Sequence, residues 1–173
     1  KLLGPLHTIW VTGGEPFMDD RLYDFAENLK TYTDVSKINI NITTNGSKLD
    51  IHKLKVFDDY KTIGLNLSID GTGKLFEYMR SAGVFSWKNM LDNLEEIDFW
   101  QISTNKKSHR VFSVNASFQI YNSYNTYDFF KFFLPYMKKN DWIEYRLLTN
   151  PYWLAAQHLP DYLKTKVNDK LIK

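Results

Sequence analysis

The sequence predicts an α/β fold in which mostly parallel strands alternate with helices. Three observations support this prediction. Short apolar or alternating runs alternate with longer amphipathic segments along the chain. The first apolar run ends in a glycine-rich turn and is followed at once by a helical pattern. No proline-rich or serine-rich linker divides the 173 residues, which suffice for one domain with a substantial core. Repeated units of this kind form either an open sheet or part of a (β/α) barrel.

Five segments have strand patterns. The first is an apolar run that stops at two glycines, and the second alternates strictly as Lys-Ile-Asn-Ile-Asn-Ile-Thr. The other three are apolar runs, and Asp-Gly follows the third segment as a turn signal. The predicted strands are 6–11, 37–43, 62–69, 110–120 and 142–148.

Helical patterns fill the intervals between the predicted strands. Apolar residues at helical spacing predict helices at 20–31 and 49–57, and a loop is expected after the third strand. Trp87, Met90, Leu94 and Ile97 then have the spacing of one buried helix face. An aromatic helix is predicted at 127–137, and we interpret its phenylalanines as packing on the sheet. A last helix is predicted at 161–172.

Composition excludes several classes of function. The net charge is only +2 and the sequence predicts no basic face of the kind that binds nucleic acid. The charged cluster at 106–110 is expected to be a solvated loop. No apolar stretch approaches the ~20 residues of a membrane span, and no signal peptide is visible, so a cytoplasmic location is expected. The chain has no cysteine, which excludes disulfides and thiolate ligands within it. Its four histidines lack zinc-site spacing, so no metal ligand is predicted.

Small polar side chains collect at the predicted carboxyl ends of the strands. In a parallel β/α fold these ends share one edge, where ligands bind. Two glycines there would let a ligand approach the main chain, and Glu15 could accept hydrogen bonds from an ammonium group. Arg80 could bind a carboxylate, and Ser68 and Asp70 could bind hydroxyl groups. The strand-end residues are Thr12, Gly13, Gly14, Glu15, Thr43, Thr44, Asn45, Ser68, Asp70, Asn115, Ser117 and 146–149.

Each of these residues also fits a purely structural role. Glu15 could be a solvated acid in a tight turn, Asp70 could belong to an ordinary Asp-Gly turn, and Arg80 could lie on the surface. The order of the motifs is more specific than any one of them. The motifs are Thr12-Gly13-Gly14-Glu15-Pro16, Thr43-Thr44-Asn45-Gly46, Leu67-Ser68-Ile69-Asp70-Gly71 and Tyr78-Met79-Arg80.

These motifs, in this order, resemble the radical S-adenosylmethionine (SAM) superfamily, and in particular its members with SPASM or twitch auxiliary domains. The resemblance covers about 6–160 and implies a partial (β/α) barrel of five or six strand–helix units. It implies that SAM is the cofactor and that the Gly-Gly-Glu motif contacts its amino group. It also implies that Leu147 packs on the adenine. The SAM-binding residues that follow are Gly13, Gly14, Glu15, Thr43, Asn45, Ser68, Asp70, Arg80, Asn115 and Leu147.

The family's [4Fe–4S] cluster is held by a Cys-x3-Cys-x2-Cys motif upstream of Gly-Gly-Glu, and this chain cannot ligate one. We therefore expect a fragment or a degenerate form of a radical SAM enzyme, whose parent cleaves SAM reductively to a 5′-deoxyadenosyl radical that abstracts hydrogen from a substrate. The alternative is a non-catalytic module that binds SAM or a nucleotide, or that binds other proteins.

The expected domain organisation is a partial barrel at 1–160, followed at 161–173 by a helix or the start of a twitch or SPASM region. The substrate is expected to be a small molecule or a peptide, and no nucleic acid or membrane partner is predicted. An incomplete barrel exposes a sheet edge, which self-association or a further domain would cover.

Overall fold

The computed structural model describes residues 6–81, 83–103 and 109–172. A five-stranded parallel sheet has the strand order β1-β2-β3-β4-β5, and helices lie between successive strands. The predicted α/β fold is confirmed, and it is consistent with a partial barrel of the predicted type. The strands are β1 (Thr8–Val11), β2 (Asn39–Thr44), β3 (Thr62–Ser68), β4 (His109–Phe118) and β5 (Trp142–Leu147). The α-helices are α1 (Arg21–Tyr32), α2 (Gly73–Phe76), α3 (Trp87–Ile102), α4 (Thr126–Phe133) and α5 (Asp161–Leu171).

The alternation in β2 determines which of its residues are buried. Ile40 and Ile42 are fully buried, whereas Asn39, Asn41 and Thr43 are half-buried. Ile40 pairs with Ile63 and Ile42 with Leu65 in the parallel register with β3. Because successive side chains point to opposite faces, one face of these strands is apolar and the other is polar. Strict alternation is unusual in a parallel sheet, where both faces are normally covered by apolar residues.

The chain forms two compact units. The first comprises the described residues within Lys1–Ser68 and Asn89–Ser113, and the second comprises those within Ile69–Lys88 and Val114–Lys173. In the first unit, Phe57 and Tyr60 are buried beside the sheet, and the Tyr60 hydroxyl donates a hydrogen bond to the Ala26 carbonyl at 3.0 Å. In the second unit, Phe129 and Phe133 of α4 are buried with ring centroids 4.7 Å apart. The aromatic helix therefore does pack its rings into a core.

Two predicted helices are shorter than expected. The segment predicted at 49–57 contains only a 3₁₀ helix, Lys53–Phe57, whose buried Leu54 and Phe57 are three residues apart, as a three-residue turn requires. The helix predicted at 127–137 ends at Phe133 and continues as the 3₁₀ turn Leu134–Tyr136. Pro135 explains this end because proline has no amide hydrogen and its ring clashes with the preceding helical turn.

Two expected loops contain regular structure in part. The interval after β3 contains α2 and then a π-helical turn, Glu77–Ser81. The sequence assigned Arg110 both to the solvated cluster at 106–110 and to the strand predicted at 110–120. It lies in β4 with a side chain that is only 6% exposed, so the strand assignment is confirmed and the solvated one is wrong at this residue. Positions 106–108 of that predicted loop lie outside the described residues. Among the helices that the structure describes, none is both long and apolar enough to cross a lipid bilayer.

Candidate functional site

The turn after β1 is shaped by two glycines. Gly13 and Gly14 have φ values of +89° and +55°, in the region that residues with a Cβ rarely adopt. A Cβ built on either glycine would meet no atom within 4 Å, so open space lies beside this backbone. Glu15 then caps the 3₁₀ turn Pro16–Met18, and its Oε1 accepts a hydrogen bond from the Phe17 amide at 3.3 Å. The sequence produces a turn whose main chain a ligand can approach.

Glu15 joins the turn after β1 to the turn after β2. Its Oε1 accepts a hydrogen bond from the Thr44 hydroxyl at 2.6 Å, and its Oε2 accepts one from the Asn45 amide at 2.8 Å. The Thr44 hydroxyl oxygen in turn accepts a hydrogen bond from the Gly46 amide at 2.9 Å. A carboxylate has about four acceptor positions. Oε1 is therefore fully used, and Oε2 keeps one position for an ammonium group.

The turn after β2 is itself held in place. The Asn45 Oδ1 accepts a hydrogen bond from the Ser47 amide at 2.8 Å, and the Asn93 side chain donates one to the Gly46 carbonyl at 2.7 Å. Gly46 has a φ of +80°. Ser68 ends β3 directly after Leu67, which pairs with Thr44, so Ser68 lies at the same edge of the sheet. Glu15 and Asn45 are thus brought together, and Ser68 lies in the neighbouring strand.

Polar side chains also continue along the strands below this edge. The Asn66 Oδ1 accepts a hydrogen bond from the buried Ser113 hydroxyl at 2.5 Å, and among the described residues its Nδ2 has no partner. Asn41 lies so close over Gly64 that a Cβ there would be 2.1 Å from the Asn41 Oδ1. The first unit therefore carries a polar face formed by Asn41, Asn66 and Ser113. None of the three was predicted, although the Asn-Ile alternation of β2 signals a polar face.

In the second unit, Asp70 and Arg80 bind each other. Asp70 is 7% exposed, and its Oδ2 accepts hydrogen bonds from the Arg80 Nε at 2.7 Å and Nη2 at 2.6 Å. The Asp70 Oδ1 accepts a hydrogen bond from the Ser117 amide at 2.8 Å, and the Asp70 carbonyl accepts one from the Asn122 side chain at 2.8 Å. Both carboxylate oxygens of Asp70 are thus hydrogen-bonded within the protein, and this ion pair fixes the orientation of the Arg80 guanidinium. Their predicted contacts with a ligand stay predictions.

Two further predicted residues lie on the last two strands. The Asn115 Oδ1 in β4 is buried and has no partner among the described residues. It is an acceptor that a ligand hydroxyl or amine could use, since buried polar groups are normally hydrogen-bonded. Leu147 ends β5 and is 72% exposed, so its apolar surface is available for contact.

The resemblance implies two cofactors, SAM and an iron–sulfur cluster, and the side chains of this chain fit only the first of them. The open glycine turn and the free acceptor position on Glu15 fit the amino group of SAM. An iron–sulfur cluster needs thiolate ligands, and the sequence contains no cysteine. Across the described residues, no group of three histidine, aspartate or glutamate side chains is arranged to hold a metal ion. The cluster therefore does not fit this chain as it stands.

The sequence model of the Radical SAM superfamily matches residues 2–105. The match contains all of β1, β2 and β3, and with them the Gly-Gly-Glu turn, Asn45, Ser68 and the Asp70–Arg80 pair. A search of curated proteins found no match. The matched region is more than half of the 173 residues and includes each motif on which the resemblance was based. The chain belongs to the radical SAM superfamily.

Proposed function

We propose that this chain binds SAM at the carboxyl end of β1 and β2. The observation that carries the proposal is the Glu15 carboxylate, which two hydrogen bonds from the β2 turn fix beside an open glycine backbone. An ammonium group placed there would donate to the remaining acceptor position of Oε2. Hydrogen bonds to charged groups are stronger than neutral ones, so this contact would orient the methionine part of SAM.

Other predicted contacts support the proposal less directly. Ser68 lies in the strand next to the Thr44 turn, where its hydroxyl could reach the same ligand. Thr43 lies on the polar face of β2. The roles of Arg80, Asn115 and Leu147 rest on the resemblance to the family and stay predictions. The twitch or SPASM subtype and a small-molecule or peptide substrate also stay predictions.

The family's chemistry starts when a reduced [4Fe–4S] cluster supplies an electron that cleaves SAM. These 173 residues offer no thiolate for such a cluster. We therefore assign to this chain the binding and orientation of SAM, and no cleavage step. The fixed carboxylate and the glycine turn can perform these roles without a cluster, because both are organised by hydrogen bonds within the protein.

Calorimetric titration of SAM into the protein and into Glu15→Gln tests the proposal. The amide of the variant has nearly the same shape, but it loses the negative charge that an ammonium group needs. Hydrogen bonds to charged groups contribute about 1.5–3 kcal/mol, so the dissociation constant should rise roughly tenfold to hundredfold. Asp24→Asn, an exposed change on α1, is the matched control and should bind as the wild type does. Equal affinity of Glu15→Gln and wild type would refute the proposal.

Titration with the two halves of SAM separates the proposal from its alternative. L-Methionine should compete with SAM on the wild type and lose that ability on Glu15→Gln, while adenosine should behave alike on both. Binding of adenosine without any binding of methionine would instead indicate a nucleotide-binding module.

A further inference from the structure

Asn93 of α3 contacts the turn that follows β2. Its Nδ2 donates a hydrogen bond to the Gly46 carbonyl at 2.7 Å, and the residue is half-buried. A carbonyl oxygen only accepts hydrogen bonds, so the NH₂ end of the Asn93 amide must face it. The Gly46 carbonyl also accepts from the Leu49 amide, at the longer distance of 3.3 Å. Asn93 therefore ties this turn to a helical residue that lies 47 positions further along the chain.

Gly46 allows α3 to come close enough for this bond. A Cβ at Gly46 would lie 3.4 Å from the Met90 Cε and 3.9 Å from the Asn93 Nδ2. Met90 and Asn93 are three positions apart, so they lie on the same face of α3. The φ of Gly46 is +80°, a value that residues with a Cβ rarely adopt. The backbone of Gly46 is thus packed and hydrogen-bonded against the helix.

Thr44 connects Gly46 to the Glu15 carboxylate. The Gly46 amide donates to the Thr44 hydroxyl oxygen at 2.9 Å, and this hydroxyl donates to the Glu15 Oε1 at 2.6 Å. Thr44 is only 1% exposed, so water does not compete for either bond. A hydroxyl group has one proton and a carboxylate only accepts, so the proton of Thr44 is directed at Glu15. A continuous series of three hydrogen bonds therefore links Asn93 to Glu15 by way of Gly46 and Thr44.

We propose that Asn93 is a positioning residue for the ammonium group of SAM. It holds Gly46, Gly46 orients the Thr44 hydroxyl, and this hydroxyl holds one oxygen of the Glu15 carboxylate. The inference rests on the proposed function, in which Glu15 is the group that meets SAM. Hydrogen bonds weaken steeply when donor and acceptor are out of line. A small rotation of the carboxylate would therefore weaken its bond to the ammonium group, although its charge is unchanged.

Calorimetric titration of SAM into Asn93→Ala tests the proposal. The dissociation constant should rise about fivefold, because the variant loses the bond to Gly46 while Glu15 keeps its charge. Alanine favours helices and Asn93 is half-buried, so the variant is expected to fold. Glu96→Ala, an exposed change on the same helix, is the matched control and should bind SAM as the wild type does.

The Glu15→Gln background separates positioning from a purely structural role. If Asn93 acts through Glu15, Asn93→Ala should have no further effect on SAM affinity once Glu15 has been altered. An asparagine that only stabilised the fold would instead lower the affinity by the same factor in both backgrounds.

Substitutions of Thr44 test the middle of the series. Thr44→Ser keeps the hydroxyl and should bind SAM within about twofold of the wild type, whereas Thr44→Val should bind about tenfold more weakly. Valine preserves the buried volume better than serine does, so packing alone would give the opposite order.

Nuclear magnetic resonance provides a measurement that needs no SAM. The Asn45 amide donates to the Glu15 Oε2 at 2.8 Å, so its proton signal reports the position of the carboxylate. Asn93→Ala should move this signal upfield as the bond lengthens, and Glu96→Ala should leave it in place.

The outcomes distinguish this inference from the proposed function. Equal SAM affinity of the wild type and Asn93→Ala would overturn the inference and leave the proposed function intact. So would an equal loss of affinity in the Glu15→Gln background, or an Asn45 signal that Asn93→Ala does not move. A wild type with no affinity for SAM would overturn both.

Discussion

Asp70 shows how one buried carboxylate can organise several backbone segments. It binds the Arg80 guanidinium and the Ser117 amide, and it is almost inaccessible to solvent. Asp70→Asn removes the charge that Arg80 needs and leaves one side-chain NH₂ near a donor. Because Arg80 is one-third exposed, the loss should fall below that of a fully buried pair, at about 2 kcal/mol of unfolding free energy. Urea denaturation measures this value, and a loss under about 0.5 kcal/mol would contradict it.

Two tyrosines of the first unit, the buried Tyr60 and the half-buried Tyr23, have buried hydroxyl groups and offer a matched comparison at neutral pH. The Tyr60 hydroxyl donates to the Ala26 carbonyl, whereas among the described residues the Tyr23 hydroxyl is buried without a partner. Tyr60→Phe should therefore cost about 1 kcal/mol of unfolding free energy, while Tyr23→Phe should cost nothing or be stabilising. Urea denaturation of both variants at pH 7 checks the difference. An equal loss in the two variants would show that the Ala26 hydrogen bond has no net effect.

The same tyrosines predict how stability changes in alkaline solution. Burial raises the pKa of Tyr60 from 10.0 to about 12, and burial together with the charges of Asp50, Asp20 and Glu15 raises the pKa of Tyr23 to about 12. Each folded pKa lies above the unfolded value, so the contribution to stability is complete below pH 10 and is lost as the pH rises towards 12. Thermal unfolding from pH 9 to 12 should show a smaller fall for Tyr60→Phe than for the wild type. If the stability of the wild type and of Tyr60→Phe fell equally over this pH range, ionisation of Tyr60 would not be the cause.

At the scale of single residues, local motifs were easier to predict than pairings. The turns that contain Glu15 and Asn45 were placed correctly after β1 and β2, because a glycine turn and an Asn-Gly turn have clear sequence signals. The direct bond between them depends on the parallel pairing of β1 and β2, which their local sequences do not specify. The pairing of Asp70 with Arg80 depends on the π-helical turn between β3 and α3, a segment predicted to be a loop.

Gly46 should be more sensitive to substitution than Gly13. A Cβ at Gly46 would lie 3.0 Å from the Leu67 Cδ1 and 3.4 Å from the Met90 Cε, and its φ is +80°. Gly13 has a φ of +89° but open space around it. Gly13→Ala should therefore cost about 1 kcal/mol from backbone strain alone, and Gly46→Ala about 3 kcal/mol from strain and crowding. Urea denaturation compares them, and equal losses would show that Leu67 and Met90 adjust freely.

Strands and helices that have a regular hydrophobic pattern were predicted well. Helix ends and helix types that depend on a single residue were not. All five strands lie within a few residues of their predicted bounds because apolar runs and alternation mark them. The helical period at 127–137 is real, but Pro135 ends the α-helix before that period stops. At 49–57 the apolar residues fit either helix type, and the capping of the turn by the Asp50 side chain accompanies the 3₁₀ form.

At the scale of the whole chain, the absence of cysteine leads to a prediction about metal content. Anaerobic incubation with iron and sulfide should leave no stoichiometric iron–sulfur cluster on these 173 residues, because no thiolate is present. Iron and sulfide analysis after gel filtration, with the absorbance near 400 nm, measures this outcome. A retained four-iron cluster would mean that other side chains ligate it.

The order of strands and helices followed from the sequence, and the parallel sheet followed from that order. The polar face of the first unit could not be predicted, because the sequence does not distinguish an asparagine in mid-strand that faces solvent from one that faces a ligand or another strand. A cavity of about 830 Å³, lined by residues of the 3₁₀ helix Lys53–Phe57 and of α3, was also missed. It depends on the 3₁₀ helix that replaces a longer predicted helix, and on the buried position of Arg110.

Gly64 and Asn41 occupy paired positions of β2 and β3, and the amide of one fills the place that a side chain on the other would take. The space between the two positions therefore accommodates a side chain from only one of them. Homologues with alanine or serine at position 64 should carry a smaller residue at position 41, and this compensating exchange should appear as covariation in an alignment.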